Sequence, residues 1–333
     1  MSNPVAFTAE QEALADSVRR YCAAKCTEAV QRADAGAFPR PFWQGLAELG
    51  VLSLAVPGEG GGAGEVAAAA MELGRAFAPG PVAGTYFATH TLPDEQAQDV
   101  ASGASLVSFG RPPLMPWAPI AGVFVESDGD RAWLARADGP VVPVETLGNE
   151  PWGRVALERV APLDRVRQGA DLANLALAGY LWGAGRRLHD TAVTHARTRV
   201  QFGRAIGDFQ AVAHPIVDTG LGLAAADKLV KVAAQAIDAG HREGSALAAA
   251  ARLSASRAAM EAAFVSHQTH GAIGYSVEGP VGHIAQRIRQ LSLLPSQEKA
   301  IGAQVLGMYA ERSEHAEHAE QSTQSKQSER GRK

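Results

Sequence analysis

The first ninety residues carry a helical pattern of apolar positions, which runs from residue 7 to residue 91. Thr8 has a side chain suited to capping a helix, and Gln11 follows three positions later, as in a capping box. The apolar positions that follow at helical spacing are Leu14, Val18, Tyr21 and Cys22. The pattern therefore predicts a helix that begins just after Thr8.

Two further helices are predicted in this region. One follows Pro41 and stops at Gly50, and the other passes through Met71 and Phe77 before the proline- and glycine-rich segment 78–81. A strand-like apolar run at residues 51–56 and a glycine cluster at residues 58–64 separate these two helices.

The hydrophobic period changes between residues 105 and 160. Short runs of β-forming residues occur at 106–109, 123–125 and 132–134, separated by Gly, Pro and Asp turns such as residues 128–130. This pattern predicts a small antiparallel β unit of about fifty residues.

Long alanine-rich amphipathic patterns return from residue 171 to residue 309, with breaks near Gly240 and Gly274. Their length is that of four antiparallel helices. The tail from Glu311 onward has no apolar face and is predicted to be disordered. The predicted fold is mainly α, with a helical domain at 1–104, a reduced β domain at 105–165, a helical bundle at 166–310 and the tail at 311–333.

Composition narrows the class of protein. The 333 residues are 46% hydrophobic and 20% charged, with a net charge of -4, which is ordinary for a globular protein. Nucleic acids and anionic membranes both call for a basic face, so neither is expected as a partner. No apolar run is long enough for a bilayer, and the N-terminus lacks the features of a signal peptide. The cytoplasm is the expected compartment.

No metal site is predicted. The only cysteines, Cys22 and Cys26, lie one helical turn apart with no histidine nearby, so two buried free thiols are favoured over a metal pair. His315 and His318 fall in the polar tail, where solvated side chains are the favoured interpretation.

The segment GAGEVA at residues 62–67 matches the loose dinucleotide-binding fingerprint. That fingerprint also needs a tight strand-turn-helix unit and an acidic residue about twenty positions further on. The sequence instead has PVAG at residues 81–84. We therefore interpret the motif as a glycine-rich loop between two elements.

Two stretches in the last third of the chain are more specific. The first is RVQFG at residues 199–203, continuing to Gln210, and the second is QTHGAIGY at residues 268–275. In this order they resemble the R-x-x-F-G…Q and Q-x-x-G-x-x-G stretches of the acyl-CoA dehydrogenase family. Residues 56–57 and 72–80 also look like the first domain of that family, so the resemblance covers nearly all of the predicted ordered chain.

The resemblance implies FAD as cofactor, held at a subunit interface. In the family these stretches meet the adenosine-pyrophosphate half of a flavin seated mainly on the neighbouring subunit, and Arg supplies the fixed, forked cation that a pyrophosphate needs. The matching positions here are Arg199, Phe202, Gln210, Gln268, Gly271, Ala272 and Gly274. Without the resemblance, Arg199 could pair with a helix carboxylate, Gln210 could cap a turn and the glycines could simply end helices.

The catalytic side departs from the family pattern. A family glutamate removes the α-proton of the acyl-CoA while a hydride leaves the β-carbon. By register its position falls on Pro295 or Leu294, and the alternative position falls on Ala173 or Asn174. None of these four side chains is a carboxylate. Glu298, about a helical turn away, is the remaining candidate base.

The middle region is also shortened and lacks the Thr-Glu-x-x-x-Gly-Ser loop that faces the flavin ring in relatives. The family features that are missing belong to the part of the site that meets the flavin ring and the acyl group. This favours a subunit that completes the FAD site of a different chain. The chain is similar to the short subunits of actinobacterial heteromeric acyl-CoA dehydrogenases that act on bulky acyl-CoAs, including steroid-derived ones. The implied partners are an acyl-CoA, a homologous subunit and an electron acceptor such as electron-transfer flavoprotein. A homomeric enzyme using Glu298 and a flavin-free scaffold remain as alternatives.

Overall fold

The computed structural model describes residues 5–32, 38–59, 61–276 and 278–294, together with Gly307. Two helical regions enclose a small sheet along the chain, in the order that the hydrophobic pattern predicts. The mainly α fold class with a small β part is therefore confirmed.

The first helical region contains helices that pack around an apolar core. Their bounds are α1 Ala9–Lys25, α2 Glu28–Gln31, α3 Arg40–Glu48, α4 Ala63–Ala76, α5 Val82–Thr91 and α6 Asp94–Ala101. The start of α1 is as predicted, because Gln11 N donates to Thr8 Oγ1 at 3.2 Å and Thr8 N donates to Gln11 Oε1 at 3.0 Å. This reciprocal pair is a complete capping box.

The strand-like apolar run at residues 51–56 does not form a strand. It begins with a turn of 3-10 helix at Val51–Ser53, which Gly50 introduces with a positive φ of 74°. Val51, Leu52 and Ala55 are all buried. Their spacing puts them on one side of a helical turn, so a continuous apolar run is satisfied here without strand pairing.

The glycine-rich loop before α4 has its amide groups occupied by a side chain of the same protein. Ala63 N and Gly64 N donate to the two carboxylate oxygens of Asp238 at 2.7 and 2.9 Å. In a dinucleotide-binding loop such amides at a helix N-terminus would face a phosphate. Here a carboxylate 175 residues further along the chain caps the helix, which agrees with the rejection of the GAGEVA motif.

We expect Asp238→Ala to lower the free energy of unfolding by about 1 kcal/mol, because the first turn of α4 loses its cap. Asp218→Ala removes an exposed carboxylate from the same helix that carries Asp238 and serves as the control. Urea unfolding followed by circular dichroism measures both. Equal losses in the two variants would contradict the capping role.

The sheet between the helical regions has its strands at β1 Val107–Gly110, β2 Leu114–Pro116, β3 Val123–Ser127, β4 Ala132–Val144 and β5 Trp152–Pro162. Their order is β1-β3-β4-β5-β2. The predicted antiparallel unit needs one correction, because β1 pairs with β3 in parallel. After β1 at one edge of the sheet, the chain crosses to the opposite edge, where β2 pairs with β5. It then returns to the first edge, where β3 runs in the same direction as β1. The two edges then meet where Ser108 Oγ donates to Pro116 O at 2.7 Å.

The second helical region is a bundle. Its helices are α7 Val166–Thr198, α8 Gln210–Asp238, α9 Gly244–His270, the short α10 Ala272–Tyr275 and α11 Gly282–Ser292. The breaks fall near Gly240 and Gly274 as predicted. Ser245 Oγ donates to Asp171 at 2.6 Å and Ser266 Oγ donates to Leu188 O at 2.8 Å, so α7 and α9 run in the same direction.

Small residues let the helices of the two regions touch through their backbones. A side chain at Gly183 of α7 would overlap the carbonyl oxygen of Met71, and one at Gly74 of α4 would overlap that of Tyr180. The buried residues that α9 contributes to the main core are all alanines, as the alanine-rich pattern indicates. No helix within the described ranges combines the length and the apolar character needed to cross a bilayer.

The two cysteines are buried free thiols, as predicted. Burial raises the pKa of Cys22 to about 12 and that of Cys26 to about 11, so both are protonated at neutral pH. They therefore belong to the packing of the first helical region.

Candidate functional site

A tight hairpin positions the first motif. Helix α7 ends at Thr198, and Arg199 leads into a hairpin of β6 Val200–Gln201 and β7 Arg204–Ala205. The turn residues Phe202 and Gly203 both have positive φ, 54° and 82°. Two such residues in succession define the type of turn that suits a two-residue hairpin.

Phe202 is held outward by this turn. Its side chain is 92% exposed, and its ring meets the Phe209 ring edge-on at 6.1 Å. The Arg204 guanidinium lies 4.0 Å from the centre of the Phe209 ring and supports the base of the hairpin. A non-glycine residue in left-handed backbone is uncommon, and here it presents a large apolar side chain to the outside. The arrangement suits contact with a ligand or another subunit.

A groove of about 950 Å³ lies next to the hairpin, between α7, the α9–α10 corner and the end of α4. Its volume is that of a site for a ligand the size of a nucleotide. Its wall carries three arginines and one carboxylate. The lining residues are Arg75, Arg187, Asp190, Thr191, Thr194, His195, Thr198, Arg199, His270, Ala272, Ile273 and Pro280.

Two imidazoles join the helices that form this groove. The rings of His195 on α7 and His270 on α9 stack with centroids 4.3 Å apart. His270 Nδ1 lies 2.8 Å from Ser266 O. Burial, then His270 and Arg199, lower the pKa of His195, so its neutral form prevails at pH 7. His195 therefore adds no positive charge to that of the groove arginines.

Two of the residues predicted to contact FAD line the groove, namely Arg199 and Ala272. Gln268 and Gly271 are exposed at the end of α9, on either side of the groove residue His270 in the sequence. Among the described residues no carboxylate pairs with Arg199, so the alternative of a helix ion pair finds no support there.

The other predicted contacts lie outside the groove wall. Phe202 is on the hairpin, and Gln210 is exposed as the first residue of α8, where no side chain caps the helix. Gly274 is buried in α10, where an added Cβ would lie 3.0 Å from the carbonyl oxygen of His267. The two motifs thus meet at one end of the bundle, with only part of each facing the groove.

Sequence reasoning missed several groove residues, including Arg75, Arg187 and His195. A signal was present on α7, because the groove residues from 187 to 198 recur at spacings of three and four and make a polar stripe along one side of the helix. Arg75 gave no comparable signal, since it comes from α4.

The described positions for a catalytic base hold no carboxylate. Ala173 is buried in an apolar cluster with Phe87 and Val166. Asn174 Oδ1 accepts a hydrogen bond from Arg252 Nη1 at 2.9 Å. Leu294 packs on the main core. The two remaining positions, Pro295 and Glu298, lie outside the described residues.

Family models match both helical regions. Residues 8–94 match the acyl-CoA dehydrogenase N-terminal domain, and residues 163–294 match the acyl-CoA dehydrogenase C-terminal domain. The acyl-CoA dehydrogenase IpdE2 of Mycobacterium tuberculosis is 33% identical over 282 residues, which are 80% of this chain and 86% of the relative. The chain belongs to the acyl-CoA dehydrogenase family, whose members are flavin-dependent oxidoreductases.

Solved structures share the fold. The ChsE4-ChsE5 complex of Mycobacterium tuberculosis matches with a TM-score of 0.76 and 22% identity, over 94% of this chain and 99% of that chain. A variant of the Tcur3481-Tcur3483 steroid ACAD matches with a TM-score of 0.79 and 22% identity, over 91% of this chain and 98% of that chain. At this identity the likeness establishes the fold alone.

Proposed function

We propose that the chain is a subunit of a heteromeric acyl-CoA dehydrogenase, in which it completes the FAD site of a homologous catalytic chain. The observation that carries the proposal is an asymmetry within one molecule. The arginine-lined groove and the outward-held Phe202 are present at one end of the bundle, whereas Ala173, Asn174 and Leu294 provide no base.

The groove fits the phosphate half of a flavin dinucleotide. Arg199 is exposed, and no carboxylate among the described residues neutralises it, so its guanidinium is available for a charge-assisted bond. Gly271 has a φ of 60° and open space where a Cβ would project, so a phosphate could approach the backbone closely. When bound in the complex, FAD supplies the acceptor for the hydride that leaves the β-carbon of the acyl-CoA.

The chain's own contribution to the reaction is binding and positioning. Asn174 is engaged by Arg252, and Ala173 is packed among apolar side chains, so neither can take the α-proton. The base and the ring-facing loop would come from the partner. We propose an acyl-CoA thioester as substrate and an acceptor such as electron-transfer flavoprotein for the electrons, as the family's chemistry requires.

The bundle offers an apolar face for a partner. Val217 and Leu221 on α8 are 58% and 65% exposed, and Phe264 on α9 is 62% exposed. Large apolar side chains gathered on neighbouring helices favour burial by a second subunit. Two of the solved structures with this fold, ChsE4-ChsE5 and Tcur3481-Tcur3483, each pair two named components, which supports a homologous chain as occupant.

We expect Leu221→Glu to weaken association at least about tenfold, because a charge would replace the most exposed of these three apolar side chains. Val160→Glu, on the exposed side of β5 and 58% exposed in the wild-type chain, is the matched control. Sedimentation velocity of the co-expressed complex over a concentration series measures both. Unchanged association in Leu221→Glu would place the interface elsewhere.

Co-expression tests the proposed function. The chain is purified alone and together with a homologue that carries the missing glutamate, and flavin is quantified from its visible absorbance. We expect flavin in the complex and little in the isolated chain. Full flavin occupancy in a homomer would favour the self-sufficient enzyme, and a stable complex without flavin would favour the scaffold.

A further inference from the structure

The groove continues well beyond Arg199. Its α7 wall runs from Arg187 to Thr198, which is about 16 Å at the rise of an α-helix. Arg199 closes one end of the groove, and Arg187 and Arg75 stand at the other. No residue of this second end belongs to the two sequence motifs.

Arg187 is half-buried, and among the described residues the hydrogen-bond partners of its guanidinium are all neutral groups. Its Nη1 donates to Ala76 O at 3.1 Å, and its Nη2 donates to Gln31 Oε1 at 3.1 Å. Burial lowers the pKa of Arg187, as expected for a guanidinium that has lost water without gaining a carboxylate. Arginines removed from water are usually paired with an anion.

Cations outnumber carboxylates at this end. Arg75 and Arg186 share one carboxylate, that of Asp190, at 3.2 and 3.0 Å. Glu28, which also acts on Arg187 electrostatically, is bonded to Arg32 at 2.9 Å. At this end the groove wall itself carries Arg75 and Arg187 against the single carboxylate of Asp190, an excess of one positive charge, and Arg186 outside the wall draws on the same carboxylate.

The positive field extends beneath the groove. His283 lies edge-on to Phe77, and neither of its ring nitrogens has a hydrogen-bond partner among the described residues. Burial first, and then Arg32, Arg187 and Arg287, lower the pKa of His283 to about 4. The imidazole is therefore neutral at physiological pH and adds no charge of its own to that of the arginines.

Hydroxyl oxygens lie between the two cationic ends. Thr191 Oγ1 donates to Arg187 O at 2.8 Å and Thr194 Oγ1 donates to Asp190 O at 2.9 Å. Because each hydroxyl donates its hydrogen to a backbone carbonyl, its oxygen can take part in a further hydrogen bond only as an acceptor. The hydroxyl groups of a ribose are donors of the kind that such oxygens bind.

We propose that Arg75 and Arg187 form a second anion subsite, which binds a phosphate group of an adenine nucleotide lying along the groove toward Arg199. A phosphate has several oxygens for two forked guanidiniums, which a single carboxylate does not offer. The placement of the nucleotide toward Arg199 rests on the proposed function. The phosphate belongs either to an ADP unit, as in FAD, or to the 3′-phosphorylated ADP unit of coenzyme A.

Calorimetric titration of the full chain with ADP and with 3′-phosphoadenosine 5′-diphosphate tests the subsite. Arg75→Gln should weaken binding about tenfold, because one forked cation is lost. Asp190→Asn should strengthen binding about threefold, because the competing carboxylate is removed. A gain of affinity cannot come from misfolding, which protects the test against an unstable variant. Arg136→Gln, an exposed arginine paired with Glu158 on the sheet, is the control and should bind like the wild-type chain.

The outcomes separate the two sources and the two proposals. Sensitivity to Arg75→Gln with both ligands assigns the subsite to the diphosphate, and sensitivity with the 3′-phosphorylated ligand alone assigns it to the 3′-phosphate. Absence of saturable binding, or unchanged affinity in both Arg75→Gln and Asp190→Asn, would overturn the subsite. Flavin content of the co-expressed complex is measured separately, so the proposed function can stand if the subsite fails.

Discussion

The isolated chain is expected to desaturate acyl-CoAs at least about a hundredfold more slowly than its complex with a glutamate-bearing homologue. General-base assistance contributes about a hundred- to ten-thousandfold in rate. The described base positions hold Ala173, Asn174 and Leu294, and none can accept the α-proton. A dye-reduction assay with added FAD and a panel of acyl-CoAs, including bulky ones, measures both preparations.

Glu298→Gln decides between this expectation and the homomeric enzyme. In the partner-subunit case the variant changes nothing in the isolated chain, and the complex keeps its rate because the partner holds the base. Robust turnover by the isolated chain that disappears in Glu298→Gln would identify Glu298 as a relocated base. The partner-subunit proposal would then be wrong.

Features that depend on sequence neighbours could be predicted from the sequence. The capping box of Thr8 and Gln11 involves residues three apart, and the breaks near Gly240 and Gly274 follow from the loss of a periodic apolar face. Such signals are local, so a single sequence contains all the information that they require.

Features that depend on contacts between residues far apart in the sequence could not be predicted from the sequence. The run at residues 51–56 has the composition of a strand, but it forms a helical turn that buries apolar side chains on one side. The parallel pairing of β1 with β3 depends on where the chain crosses the sheet, which alternation of residues does not encode. Asp238 at the end of α8 caps α4 across a separation of 175 residues, and only the fold brings the two together.

The candidate site divides in the same way. Arg199 and Ala272 come from motifs that the sequence displays as continuous stretches, and both line the groove. Arg75 and Arg187 reach the groove because α4 packs against α7 through Gly74 and Gly183. Residues that helix packing brings into a site, such as these two arginines, do not form a recognisable sequence motif. Their role is inferred instead from the positive charge that the structure places in the groove.

Arg199→Ala is expected to weaken FAD binding by the co-expressed complex by about 1.5–3 kcal/mol, which is roughly ten- to a hundredfold in affinity. The variant removes the guanidinium at the mouth of the groove while leaving the hairpin in place, because Ile206 N bonds to the backbone oxygen of residue 199 at 2.8 Å. Arg197→Ala, an exposed arginine in the last turn of α7 that does not line the groove, is the matched control. Flavin retained after gel filtration, followed by titration of the apoprotein with FAD, measures both. Equal retention in the two variants and the wild-type complex would remove Arg199 from the cofactor site and leave the groove without its proposed contact to FAD.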